Sequence, residues 1–406
     1  MLINFNFSNF KSINDEINLS CETNANEQDV NFIFYDEHNS IFKTAIIYGQ
    51  NASGKTNIIK ALEFLKHFIL NAPLKKTDSI HITPFLFTDD IKENSFFEIE
   101  LLQNGIKYLY QLTLNKKSIV DEKLYFYNPN KALVYDRVSQ KFGSKIKLKK
   151  SQKEALFNNS IENNTLLSGY LKTNIKIEAF DDIINWFKKL MNPIYPHTDL
   201  LGFVAKILKD RKIDNDIIVR LLKNADFAID DFNIEEKEID EEFKRFLIDI
   251  GKTDDAQSIK KIEIFFTHYQ KYKLEFQNES MGTQRFYQLV TMLYLALKDD
   301  LILLVDELES SLHPDLLKHF LLIFLTNSKK SQLIFTTHSR ELLLEKELFL
   351  FDTIYFTEKK EDGSTELFSL RDFDSKTIRK ENSIFNMYKS GKLGATPNTK
   401  NYFLDI

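Results

Sequence analysis

The stretch GQNASGKT, Gly49 to Thr56, constrains the fold more than any other feature of this chain. It fits G-x-x-x-x-G-K-[ST], and its flanks are those the motif needs: a strand before and a helix after. TAIIYG (Thr44–Gly49) is a short apolar run ending in glycine, which predicts a buried parallel strand. In NIIKALEFLKHFIL (Asn57–Leu70), Ile58, Leu62, Leu65 and Ile69 fall on one face, which predicts a helix. Gly49, Asn51, Ala52, Ser53 and Gly54 form a loop whose small residues let successive N–H groups turn toward phosphate oxygens, with Asn57 just beyond. The helix N-terminus adds partial positive charge. Lys55 is placed to reach the β- and γ-phosphates of a nucleotide, and the Thr56 hydroxyl to ligate Mg²⁺. A chance glycine turn before a helix is the competing reading.

Two further motifs end apolar runs. In LILLVDELESSLHP, Asp306 and Glu307 follow the hydrophobic stretch. A carboxylate at the end of a buried strand suits Mg²⁺ held through water, and the next one can take a proton from an attacking water. A solvated acidic turn would look similar. In IFTTHS, His338 ends another apolar strand, where a neutral imidazole can donate to a phosphate oxygen and orient water. A lone surface histidine is the plainer alternative. His313, in SLHP, reads as a residue at a helix start.

The segment NESMGTQRFYQLV (Asn278–Val290) places Ser280, Gly282 and Thr283 before a helix expected to start near Gln284. Such a start is an anion site. Lys55 already claims the phosphate in its own molecule, so the economical occupant is a nucleotide bound to a second copy. A simple Ser/Thr helix cap fits the same residues.

The remaining chain reads as strands in residues 1–20, a β meander from Phe96 to Tyr127 with a turn at QNG (Gln103–Gly105), and a helical section from Lys145 to Lys260 carrying the acidic run DDFNIEEKEIDEEF. KKIEIFFTHYQKYKLEF is expected to be a hairpin returning to the sheet, and another surrounds KKEDGST. The domain reading is an N-terminal half over 1–145, a mainly helical insertion over 146–260, and a C-terminal half over 261–406. The single cysteine, Cys21, excludes an internal disulfide and suits a reducing cytosol. No charge-free apolar stretch is long enough to span a bilayer, so no membrane role is expected. A net charge of −5 argues against a surface built mainly for nucleic acid, though SKIKLKK (Ser144–Lys150) is a local basic stretch. The alternation of Lys145, Lys147 and Lys149 is what the wet face of a strand would show.

The order of these motifs resembles that of ABC-type ATPases, in the branch holding the SMC and DNA-repair heads: P-loop early, a long insertion, then signature loop, acidic strand and histidine strand in succession. The resemblance implies an α/β P-loop fold with a mixed sheet core and an antiparallel β subdomain. It also implies ATP and Mg²⁺ as ligands and a head-to-head homodimer in the cytoplasm. ESMGTQ (Glu279–Gln284) stands where the family has LSGGQ, with Ser280, Gly282 and Gln284 reaching the partner's ATP. Glu307 matches the catalytic glutamate, His338 the switch histidine, and Ser310 and Ser311 the D-loop contacts. In NFKSI, Lys11 stands where a basic residue approaches the nucleotide.

More narrowly, PFLFTDD, LLKNADFAIDDFNI, ESMGTQR and YKSGKLGATP are similar to the compact ATPases of restriction-linked and abortive-infection phage defence (RloA-like, AbiL-like, and the ATPase subunit of PARIS). That likeness implies an ATPase controlling a separate effector, a nuclease or toxin. Three departures stand out. No Q-loop glutamine is identifiable, with His81–Asp90 about where it belongs and Gln103 as the alternative. Met281 replaces a signature glycine. The insertion is too short for coiled-coil arms, and the chain after His338 is too short for a Toprim nuclease. A DNA-end sensor using Lys145, Lys147, Lys149 and Lys150, and a nucleotide-gated scaffold with little turnover, are the competing functions.

Overall fold

A computed structural model describes residues 1–23, 30–73, 75–210, 213–225, 227–238, 260–372 and 384–393. The chain divides into two compact units. One comprises 1–196, 299–308 and 322–406, and the other 197–298 and 309–321. No helix of the described residues is long and apolar enough to cross a membrane.

The first unit is built on a five-stranded sheet in the order Ile302–Val305, Gln332–Thr337, Thr44–Gly49, Ile354–Lys359, Thr365–Ser369. The first four strands are parallel and the last is antiparallel. Every residue of Thr44–Gly49, Ile302–Val305 and Gln332–Thr337 is buried, as expected for parallel strands covered on both faces. The acidic strand has one more neighbour. Residues 190–194 run parallel to it, with Met191 N–H donating to Ile302 O, Ile194 N–H to Leu304 O, and Asp306 N–H to Ile194 O, each at 2.9 Å.

A seven-stranded antiparallel sheet forms the second layer, in the order Lys141–Phe142, Lys131–Asp136, Ile119–Tyr127, Ile106–Leu114, Ser95–Gln103, Leu2–Ser8, Ile17–Ser20. The helix Lys55–Leu70 buries Ile58, Leu62, Leu65 and Ile69 in the same core as both sheets. The buried Gln332 amide ties the layers: it accepts from Leu2 N–H at 2.5 Å and donates to Leu2 O and Phe42 O.

The helices Lys150–Asn158, Leu166–Tyr170 and Glu178–Lys189 belong to this first unit, and their Leu156, Leu167, Phe180 and Trp186 join its core. The expected boundary at 146 therefore does not coincide with the division of the fold, which falls at 196. Leu166 N–H donates to the buried Glu122 carboxylate at 2.9 Å, fastening these helices to the meander.

The second unit packs the helices Leu201–Lys209, Asn215–Asn224 and Met281–Lys298 with a separate three-stranded sheet, ordered Ile229–Glu238, Lys260–His268, Tyr272–Glu275. One sequence expectation is corrected here: the hairpin over 260–275 does not return to the main sheet. Within the section expected to be mainly helical, the first half of the acidic run is a strand, where Phe232 turns inward against Phe266 and Tyr287 and Glu238 pairs across from Lys260. The rest of that run, residues 239–243, and the GATP of YKSGKLGATP, residues 394–397, lie outside the described residues.

Candidate nucleotide-binding site

Strand order puts Gly49, Asp306 and His338 at the same end of the sheet. The P-loop strand lies beside the histidine strand, which lies beside the acidic strand. Ligands of open parallel sheets bind at the carboxyl ends of strands, and these residues are there.

Close packing fixes the loop backbone. A Cβ on Gly54 would stand 2.2 Å from Thr365 Oγ1, and its φ of 106° is left-handed, so the position requires glycine twice over. A Cβ on Gly49 would stand 2.1 Å from Thr357 Oγ1. Ala52 is also left-handed, at φ 62°. Ser53 is fully buried with its hydroxyl 2.5 Å from Thr357 Oγ1, and its carbonyl accepts from Thr365 Oγ1 at 2.7 Å. Asn57 donates to Ser12 Oγ at 2.7 Å, and Ser12 Oγ lies 2.8 Å from Thr365 Oγ1. Ser12, Thr357 and Thr365 thus brace the loop from distant parts of the chain, and nothing in a local pattern marks the two threonines. Ser12 lies in NFKSI, next to Lys11.

The Lys55 ammonium donates to Gly49 O at 2.8 Å and Gln50 O at 3.0 Å, and lies 3.4 Å from His338 Nδ1. The loop's own carbonyls therefore aim the cation. Thr56 Oγ1 donates to Asp306 at 2.9 Å, and the 4 % exposed Asp306 also accepts from Thr336 Oγ1 at 2.6 Å. Thr336 Oγ1 in turn accepts from Glu307 N–H at 2.8 Å. Thr336 was visible in IFTTHS as part of an apolar strand, yet it orients both carboxylate residues. Glu307 adopts a left-handed φ of 49°, and its Oε1 lies 3.4 Å from His338 Nε2. Asn51, Ala52, Gly54, Lys55, Thr56, Asn57, Glu307 and His338 line one pocket of about 240 Å³. The convergent oxygens of Thr56 and Asp306 form an all-oxygen donor set, which fits a hard divalent cation.

Two expected contributors are elsewhere. Lys11 lines a different pocket, of about 580 Å³, with Lys60 and Phe64, and its ammonium lies over the Phe10 ring. Its left-handed backbone (φ 54°) and its N–H bond to Thr83 O turn it there. Gln103 ends a strand of the meander and is not in the P-loop pocket. Of the basic stretch, Ser144 and Lys145 form a turn closed by Ile146 N–H on Gly143 O, and residues 146–149 lie in no strand or helix. Lys145 and Lys147 are exposed, and Lys145 lies over Phe126.

In the second unit, Ser280 is exposed and precedes a helix that starts at Met281, three residues earlier than expected. It accepts from Thr283 N–H at 3.1 Å and so caps that helix, which is why the turn closes early. Gly282 lies against the backbone of Ser311, where a Cβ would stand 3.2 Å from its carbonyl oxygen. Ser311 is exposed and left-handed (φ 62°), and Ser310 is half-buried. The Gln284 amide folds back to Glu279 O at 2.9 Å. Met281, in the place of a glycine, is 73 % exposed.

No curated protein matches the chain. Among solved structures it is similar to the SMC head domain from Thermotoga maritima, at 14 % identity and TM-score 0.43 over 91 % of this chain and 98 % of that one. A similar likeness links it to the SmcHead bound to the C-winged helix domain of ScpA, at 14 % and 0.45 over 93 % and 99 %. A third is the Smc head with an extended coiled coil bound to the C-terminal domain of ScpA derived from Pyrococcus furiosus, at 12 % and 0.43 over 93 % and 98 %. A family model described as "AAA domain, putative AbiEii toxin, Type IV TA system" matches residues 45–345, from inside the P-loop strand to beyond the histidine strand. Its span takes in every element of the nucleotide pocket, and the chain belongs to that AAA-domain family.

Proposed function

We propose that this protein is an Mg²⁺-dependent ATPase that closes as a homodimer around ATP and uses that state to control a separate effector. The observation that carries this reading is the relay from Thr56 through Asp306 and Thr336 to Glu307, ending beside His338. The Lys55 ammonium binds the triphosphate, and the loop N–H groups seat it. Thr56 and Asp306 hold Mg²⁺, which supplies charge neutralisation at the phosphates. Glu307 takes a proton from the attacking water and His338 orients that water. Ser280, exposed at a helix start, caps the triphosphate of the other copy, with Gly282 and Gln284 beside it and Ser310 and Ser311 at the contact. Closing two sites in one symmetric interface makes assembly respond to ATP by mass action.

The effector class we favour is a nuclease or toxin in anti-phage defence, in line with the toxin–antitoxin description of the family. The test is Glu307→Gln with ATP and Mg²⁺, sized in solution. Stable dimers or larger even multiples are expected where wild type forms them only transiently, and an unchanged monomer refutes the dimer. Lys55→Ala is expected to abolish nucleotide binding.

A further inference from the structure

The residue before Ser280 is held from outside its own turn. Glu279 Oε1 lies 2.6 Å from His268 Nε2, and the two side chains are only 8 % and 19 % exposed. His268 ends the strand Lys260–His268. Its carbonyl accepts from Lys271 N–H at 3.0 Å across a turn in which Tyr269 and Gln270 are both left-handed, at φ 50° and 57°. Such a turn without glycine or asparagine is strained, and it persists only where its surroundings hold it. Gln270 N–H is held by Asp230 at 2.7 Å. From the other side, Glu279 N–H donates to Phe276 O, and Phe276 is buried against Phe266 and Tyr287. Glu279 O accepts the Gln284 amide. Glu279 is thereby fixed at its side chain, its N–H and its carbonyl, while the next residue, Ser280, stands exposed.

We infer that His268 is a positioning residue for the signature turn: its bond to Glu279 clamps the peptide that presents Ser280, so that the serine meets the partner's nucleotide already ordered. This rests on the dimer reading above. With Met281 standing where a glycine would, the order of this turn comes from a side-chain bond to the end of the strand Lys260–His268. A preordered donor loses less freedom on docking than a mobile one.

The test is made on the full chain. In His268→Ala, hydrogen exchange at the amides of Thr283 and Gln284, which both donate to Ser280, should rise about tenfold, the scale of one lost hydrogen bond. ATP-driven dimerisation, read in the Glu307→Gln background, should weaken by about the same factor. ATP affinity measured at protein concentrations below dimerisation should not change. His268→Gln, whose amide nitrogen replaces Nε2, should restore both properties. Glu279→Ala should match His268→Ala, and the double variant should be no worse than either single change. Unchanged exchange and dimerisation in His268→Ala, failure of the glutamine to rescue, or additive losses in the double variant would each overturn the inference. If Glu307→Gln alone stays monomeric with ATP, the dimer reading fails and so does the purpose assigned to the clamp. The exchange data then show separately whether the clamp exists.

Discussion

Two glutamates in the first unit show how burial separates holding from acting. Glu122 is fully buried, and its carboxylate accepts from Tyr110 OH, Tyr135 OH, Arg137 and Leu166 N–H. Burial first, and then that carboxylate, push both tyrosine hydroxyls well above their ordinary range. Glu307 is 40 % exposed, and its carboxylate lies 3.4 Å from His338 Nε2, beyond hydrogen-bond length. A carboxylate surrounded by donors has no capacity left for a substrate. One held by its backbone, with its oxygens facing a pocket, is free to take a proton.

That contrast can be broken in order of expected effect. Glu122→Ala leaves Arg137, only 14 % exposed, without its carboxylate, and should destabilise the fold by about 3–5 kcal/mol in denaturant titration. A loss under about 1 kcal/mol would mean the cluster is dispensable. Glu307→Gln should leave stability within about 0.5 kcal/mol and lower ATP turnover by about 10²–10⁴-fold, measured as phosphate release. Equal damage to folding would erase the distinction between the two residues. Thr336→Val removes the hydroxyl shared by Asp306 and the Glu307 N–H. It should lower turnover about tenfold with ATP binding retained, and a wild-type rate would show that the relay does not orient Glu307.

Most of the pocket was legible because each element carries its own local signal. A glycine loop between apolar strand and apolar helix, and carboxylates or histidine after an apolar run, are readable from neighbours in sequence. Thr357 and Thr365 were not, because their role is steric and depends on strand order: they occupy the space that a side chain at Gly49 or Gly54 would need. Lys11 lies outside the P-loop pocket for a related reason: it is a left-handed residue in the turn after Leu2–Ser8, and no periodicity predicts where such a residue sends its side chain. The strand Ile229–Glu238 was hidden by its acidity: Phe232 and Ile234 alternate, but two apolar residues among carboxylates are a faint period-two signal.

The edge formed by residues 190–194 has a practical consequence for anyone dissecting the protein. These residues cover the open side of the acidic strand, and Ile194 supplies the carbonyl that receives Asp306 N–H. Tyr195 is pinned to Glu63 of the P-loop helix at 2.5 Å, and Asn192 to Lys66 at 2.6 Å. Excising the second unit from residue 190 onward would bare a sheet edge made of Ile302–Val305, a template for aggregation. An excision that begins after Pro196 keeps the strap and the aspartate's backbone anchor together, so the seam between the units lies seven residues later than the last helix would suggest.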